Sequence, residues 1–107
     1  MGSLLYGAPA TEFAFDDRAL AHLQVVITAK LRRRESFLFS WTASAGNGRS
    51  AVWLDPSSTL YFHYQGSRVP VINREWIVVL AASSNTPGGL VFTTEPRPAA
   101  EGTPSQA

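Results

Sequence analysis

Residues 16–34 read DDRALAHLQVVITAKLRRR, and this stretch decides the fold. At 100° per residue, Ala19, Leu20, Leu23, Val26, Ile27 and Leu31 fall on one side, an apolar stripe wide enough to face a sheet. Arg18, His22, Ala29 and Arg33 lie opposite, with His22 read as a surface histidine. Asp16 or Asp17 supplies the short acceptor side chain that bonds the free N–H groups of a first helical turn. The helix is expected over 16–34, because Glu35 opens a different period.

Outward from this helix the apolar period drops to two. Upstream, Leu4–Tyr6 and Glu12–Phe15 read as short strands around the turn-rich Gly7-Ala8-Pro9-Ala10. Downstream, Phe37, Phe39 and Trp41 alternate with Ser36, Leu38 and Ser40. The stretch 43–48, ending Gly46-Asn47-Gly48, predicts a tight hairpin turn, since Asn-Gly favours positive φ. Ser50–Leu54 returns, Asp55-Pro56-Ser57-Ser58 turns again, and Thr59–Tyr64 gives a third strand. Short turns between these three strands predict an antiparallel meander. Asn73–Ser83 is ambiguous, since Ile77–Val79 is β-branched. Asn73 as N-cap, Glu75 in the first turn and the Trp76/Leu80 spacing favour a helix near 73–84. Pro87-Gly88-Gly89 ends it, and Leu90–Thr94 makes a last strand.

The expected fold is therefore α+β: one small domain over 1–95, an antiparallel sheet and two helices in the order β-β-α-β-β-β-α-β. Beyond it, 96–107 is rich in proline and lacks large apolar side chains, so a flexible tail is expected. The length of 107 residues suits one domain with a modest core. No apolar run approaches the roughly 20 residues of a membrane span, and the N-terminal stretch lacks the basic n-region of a secretory signal. Met1-Gly2 is followed by Tyr6 where a myristoylation pattern wants Ser or Thr. The cytoplasm is the expected compartment, with no membrane partner.

The chemical inventory excludes more than it suggests. With no cysteine there is no disulfide, thiolate zinc site or cysteine nucleophile. Walker A, Gly-x-Gly-x-x-Gly and Gly-x-Ser-x-Gly patterns are all missing. His22 and His63 are the only histidines. Convergence with Asp16, Asp17 or Asp55 would be needed for a metal or an acid–base pair, and their spacing does not demand it. Asp16-Asp17 reads more simply as a helix cap and dipole partner. No catalytic residue, metal or cofactor is expected.

Charge is unevenly placed although the net value is only +1. Between Arg18 and Arg34 there are five basic residues and no acid, whereas the remainder holds four basic and eight acidic residues. Arg18, Lys30, Arg32, Arg33 and Arg34, with Arg49 and Arg74, are candidates for phosphate contacts to nucleic acid. The alternative is that cations near a helix C-terminus offset its exposed carbonyls. Trp41, Trp53 and Trp76 could stack bases, but aromatics on one face of a meander are mostly core. The other face would carry Leu38, Val52, Leu54 and Tyr61, too apolar for open water. With 16% charged residues against a usual ~25%, these four are candidates for a protein interface, homo-oligomeric or with a partner.

Asp16-Asp17-Arg18-x-Leu20-x-His22-Leu23, Lys30-Leu31-Arg32-Arg33-x-Glu35-Ser36-Phe37, Gly48-Arg49, Trp53, Pro56-Ser57 and Asn73-Arg74-x-Trp76 stand together with Met1-Gly2 and Tyr6-Gly7. In these the chain resembles a family of roughly hundred-residue actinobacterial proteins built around a domain of unknown function. The resemblance covers about residues 1–96 and supports the helix at 73–84. It implies no activity. Similar proteins carry the label "ATP-dependent DNA ligase", yet ligase adenylation needs a Lys-x-Asp-Gly nucleophile. Here the single lysine, Lys30, precedes Leu31-Arg32-Arg33, and the chain is too short for a ligase. The expectation is a non-catalytic interaction module, protein-binding or self-associating, with an accessory nucleic-acid-binding protein as the alternative.

Overall fold

The computed structural model describes residues 1–42 and 48–96. It is α+β, with two helices, two three-stranded sheets and the expected element order. The elements are β1 (Gly2–Tyr6), β2 (Thr11–Phe15), α1 (Asp17–Arg32), β3 (Phe37–Thr42), β4 (Arg49–Leu54), β5 (Leu60–His63), α2 (Arg74–Ser84) and β6 (Leu90–Val91). They form two compact units. The first comprises Met1–Ser36 with Leu54–Ile72, the second Phe37–Trp53 with the described chain from Asn73. The expected turn at 43–48 lies outside the described residues except Gly48, as does the expected tail except Pro96.

In the first unit the sheet order is β2-β1-β5, antiparallel throughout. Leu4 pairs with Phe13 on one side and Phe62 on the other, and its side chain is fully buried. Gly2 opens β1 beside the start of α1: a Cβ there would come within 2.7–2.9 Å of the His63 carbonyl, the Asp17 carboxylate and the Leu20 side chain. Only glycine fits that approach.

Helix α1 starts as expected, with Asp16 Oδ1 accepting from Ala19 N–H at 3.0 Å. It ends in a Schellman motif, the Arg34 and Glu35 N–H groups bonding the Leu31 and Lys30 carbonyls. Arg34 takes the left-handed position at φ 60°, usually reserved for glycine. Ala19, Leu20, Leu23, Val26 and Ile27 are buried and Leu31 half-buried, as the stripe predicts. The buried band is wider than expected, however, and takes in His22 and Lys30. Periodicity places His22 in solvent, yet it is fully buried. Its Nδ1 lies 2.7 Å from the Arg18 carbonyl, and because a carbonyl only accepts, Nδ1 carries the proton. That bond satisfies the ring inside the helix's own backbone, which removes much of the cost of burying it.

In the second unit the sheet order is β4-β3-β6, with β6 parallel to β3 through Phe39↔Leu90 and Ser40↔Val91. A helix between strands allows that parallel return, where a hairpin would not. Helix α2 is capped as expected by Asn73, whose Oδ1 accepts from Glu75 N–H at 3.0 Å. Asn73 Nδ2 donates to the Glu95 carboxylate at 2.8 Å and the Pro96 carbonyl at 3.0 Å. Trp76 is buried, donates from Nε1 to Thr93 Oγ1 at 3.2 Å, and packs near Phe92.

Three expectations are corrected. The sheet is not a single antiparallel one, and β3, β4 and β5 are not a meander: β5 pairs with β1 in the other sheet. Asp55-Ser58 folds on itself instead of making a hairpin, with Asp55 Oδ1 accepting from Ser57 N–H at 2.8 Å and Ser58 Oγ accepting from Asp55 N–H at 3.0 Å. Third, Trp53 is not core. Alternation puts it opposite Leu54, and it is Leu54 that points inward, leaving Trp53 exposed.

Candidate functional site

The first unit carries a groove of about 660 Å³ between the exposed face of α1 and the segment 64–72 that follows β5. Three polar ties hold that segment on the helix. The Asp17 carboxylate accepts from Gly66 N–H at 2.8 Å and Gln65 N–H at 3.1 Å. Tyr64 Oη donates to Gln24 Oε1 at 2.5 Å, and the Arg18 guanidinium donates to the Val71 carbonyl at 2.6 Å. The backbone N–H groups of Gly66 and Gln65 hold the Asp17 carboxyl below its ordinary value. Burial, and then the Asp17 charge, raise the Tyr64 phenol above its ordinary value.

The groove lining is mainly apolar. Val25 and Ala29 come from the helix, and Val69, Pro70 and Ile72 from the segment. Val69 stays 82% exposed and Val25 42%. Arg32 and Arg68 also line the groove, and among the described residues no acidic one does.

The basic cluster read from the sequence is largely spent on structure. Arg18 holds Val71, while Lys30 is buried and sits 2.8 Å from Glu35, which Arg33 approaches at 3.4 Å. Those cations hold the Glu35 carboxyl low, the Lys30 hydrogen bond most of all. Arg32 and Arg34 are exposed and have no side-chain partner among the described residues. Arg34 borders a smaller cleft with Ser36 and the Asp55–Ser57 turn. Arg49 on β4 and Arg74 on α2 are exposed but belong to the second unit. Arg68 was missed: alone in Gly66-Ser67-Arg68-Val69, it has no periodicity to mark it.

The four expected interface residues do not lie on one sheet. Leu38 and Val52 lie on β3 and β4, Tyr61 on β5 in the other sheet, and Leu54 is fully buried. The correction follows from the sheet partition, because the shared face required a meander. Of the acid–base candidates, His22 has no exposed surface, Asp16 caps α1, and Asp17 holds the 64–72 segment, with exposed His63 near enough that its charge helps hold the Asp17 carboxyl low. Among the described residues no three His, Asp or Glu side chains gather to hold a metal ion. No helix among them is long and apolar enough to cross a membrane.

A family model described as Domain of unknown function (DUF7882) matches residues 1–95. The chain belongs to this family. No curated protein and no solved structure matches it. In this DUF7882 chain, several residues that carry the resemblance have structural roles: Gly2 admits α1, Asp16 caps it, Asn73 clamps the described chain at Glu95 and Pro96, and Trp76 is core.

Proposed function

We propose that this DUF7882 chain is a non-catalytic interaction module that takes a protein segment in the groove between α1 and residues 64–72, in the cytoplasm. The observation that carries the reading is the apolar lining built from Val25, Val69 and Ile72, left open to solvent beside a segment tied to the helix at three points. A wall held in place before binding loses less entropy on association. Panning a displayed pool of short random peptides tests it, with a Val25→Gln/Val69→Ser variant alongside. Peptides enriched on the native protein and not on the variant support the reading; no enrichment, or equal enrichment on both, contradicts it. Sedimentation equilibrium over a range of concentrations distinguishes a second copy of the chain from a different partner.

A second reading, an accessory nucleic-acid binder, draws on Arg32 and on Arg34, which occupies a left-handed position that glycine fills at lower cost. Anisotropy of labelled DNA at low and near-physiological salt tests it. Affinity that falls with a log–log slope of about −0.9 per phosphate contacted, and that drops in Arg32→Ala/Arg34→Ala, would support it. Absence of binding at low salt removes it.

A further inference from the structure

We infer that the groove recognises an acidic, aliphatic peptide segment; the inference rests on the interaction-module reading above and adds the chemistry of the partner. Arg32 reaches the groove from the last turn of α1 and Arg68 from the facing segment. Neither side chain has a hydrogen-bond or ion-pair partner among the described residues, and no acidic residue lines the groove to offset them. Arg32 has a structural use, since a cation in the last turn favours the helix dipole. Arg68 has none among the described residues: it is exposed, lies outside any helix or strand, and meets no acceptor there. Two uncompensated guanidinium groups beside an apolar strip match carboxylates flanking aliphatic side chains, with the guanidinium fork suited to bidentate contact.

The same residues disfavour a single-stranded nucleic acid here. Base stacking needs aromatic platforms. Among the described residues the one aromatic on the groove is Tyr64, whose hydroxyl is engaged by Gln24, and the apolar strip is otherwise aliphatic.

The test takes peptides recovered from the random pool on the native protein, labels the strongest, and measures anisotropy. The recovered peptides should be enriched in Asp and Glu beside Leu, Ile or Val. Replacing their acids by Gln or Asn should weaken binding at least about tenfold, and so should Arg32→Glu/Arg68→Glu. A peptide with its acids changed to Lys should regain affinity for that charge-reversed variant. Should the variant fail to fold by circular dichroism, the Gln/Asn peptides on the native protein give the answer alone. Recovered peptides without acidic enrichment, or unweakened by loss of their acids, overturn the acidic partner while the groove reading stands. If nothing is recovered, both fall.

Discussion

Asp17 fastens Gly66: its Oδ2 accepts from the Gly66 N–H at 2.8 Å while Oδ1 takes the neighbouring Gln65 N–H at 3.1 Å. One carboxylate at the start of α1 thereby fixes the outer wall of the groove. Asp17→Asn replaces an acceptor oxygen by a donor and should lower Tm by a few degrees. Hydrogen exchange should quicken at Gln65 and Gly66 and not at β1. The pH dependence has a definite sign. The folded Asp17 pKa lies below its ordinary 3.8, so its contribution is present in full above that value and fades as pH falls through the folded pKa. Thermal melts between pH 5 and pH 2 should show a shallower acid loss in Asp17→Asn than in the native protein.

Asn73 is buried with both ends of its amide in use, one capping α2 and the other holding Glu95 and Pro96. Asn73→Ala leaves those groups unsatisfied and should cost about 1–3 kcal/mol in urea unfolding. Asn73→Asp keeps the cap but sets a carboxylate against Glu95, so it should recover only part of that loss.

Gly89, at φ 81°, passes directly over the backbone of Leu38, and a Cβ there would overlap the Leu38 carbonyl. The closest atoms are Leu38 backbone, so no flexible side-chain end can give way. Gly89→Ala should destabilise by about 2–4 kcal/mol, read from denaturant midpoints at unchanged m. Gly48→Ala meets nothing within 4 Å among the described residues and carries only its positive φ of 92°, so it should cost less.

Arg34 presents the opposite case. Its left-handed φ of 60° makes Arg34→Gly a stabilising change of about 0.5–1 kcal/mol. If the nucleic-acid reading holds, that same variant should bind DNA more weakly while melting higher. Stability and binding moving in opposite directions would separate a functional guanidinium from a mere helix terminator.

What was legible in the sequence was local. The α1 stripe, the Asp16 and Asn73 caps, the alternation of Phe37 and Phe39 against Leu38, and the order of elements follow from neighbours a few residues apart. What was not legible depended on distant partners. Leu4 pairing with Phe62 is a long-range choice, and consecutive strands are neighbours only about two-thirds of the time. Because β5 pairs with β1, Leu38 and Val52 share no sheet with Tyr61. His22 is misplaced because periodicity counts polar side chains as outward, while the Arg18 carbonyl satisfies it when buried; Lys30, a phosphate candidate by charge alone, is buried against Glu35. The groove itself was invisible for the same reason: Val25 and Arg68 meet only through ties between α1 and a loop about forty residues away.

The most direct test is an ¹⁵N-amide shift map of the full chain, titrated with the strongest peptide recovered by panning. Shifts concentrated on residues 21–32 and 64–72, absent in Val25→Gln/Val69→Ser, are the predicted result. Shifts centred instead on Leu38, Trp53 or the outer face of α2 would contradict the assignment of the groove as the binding site.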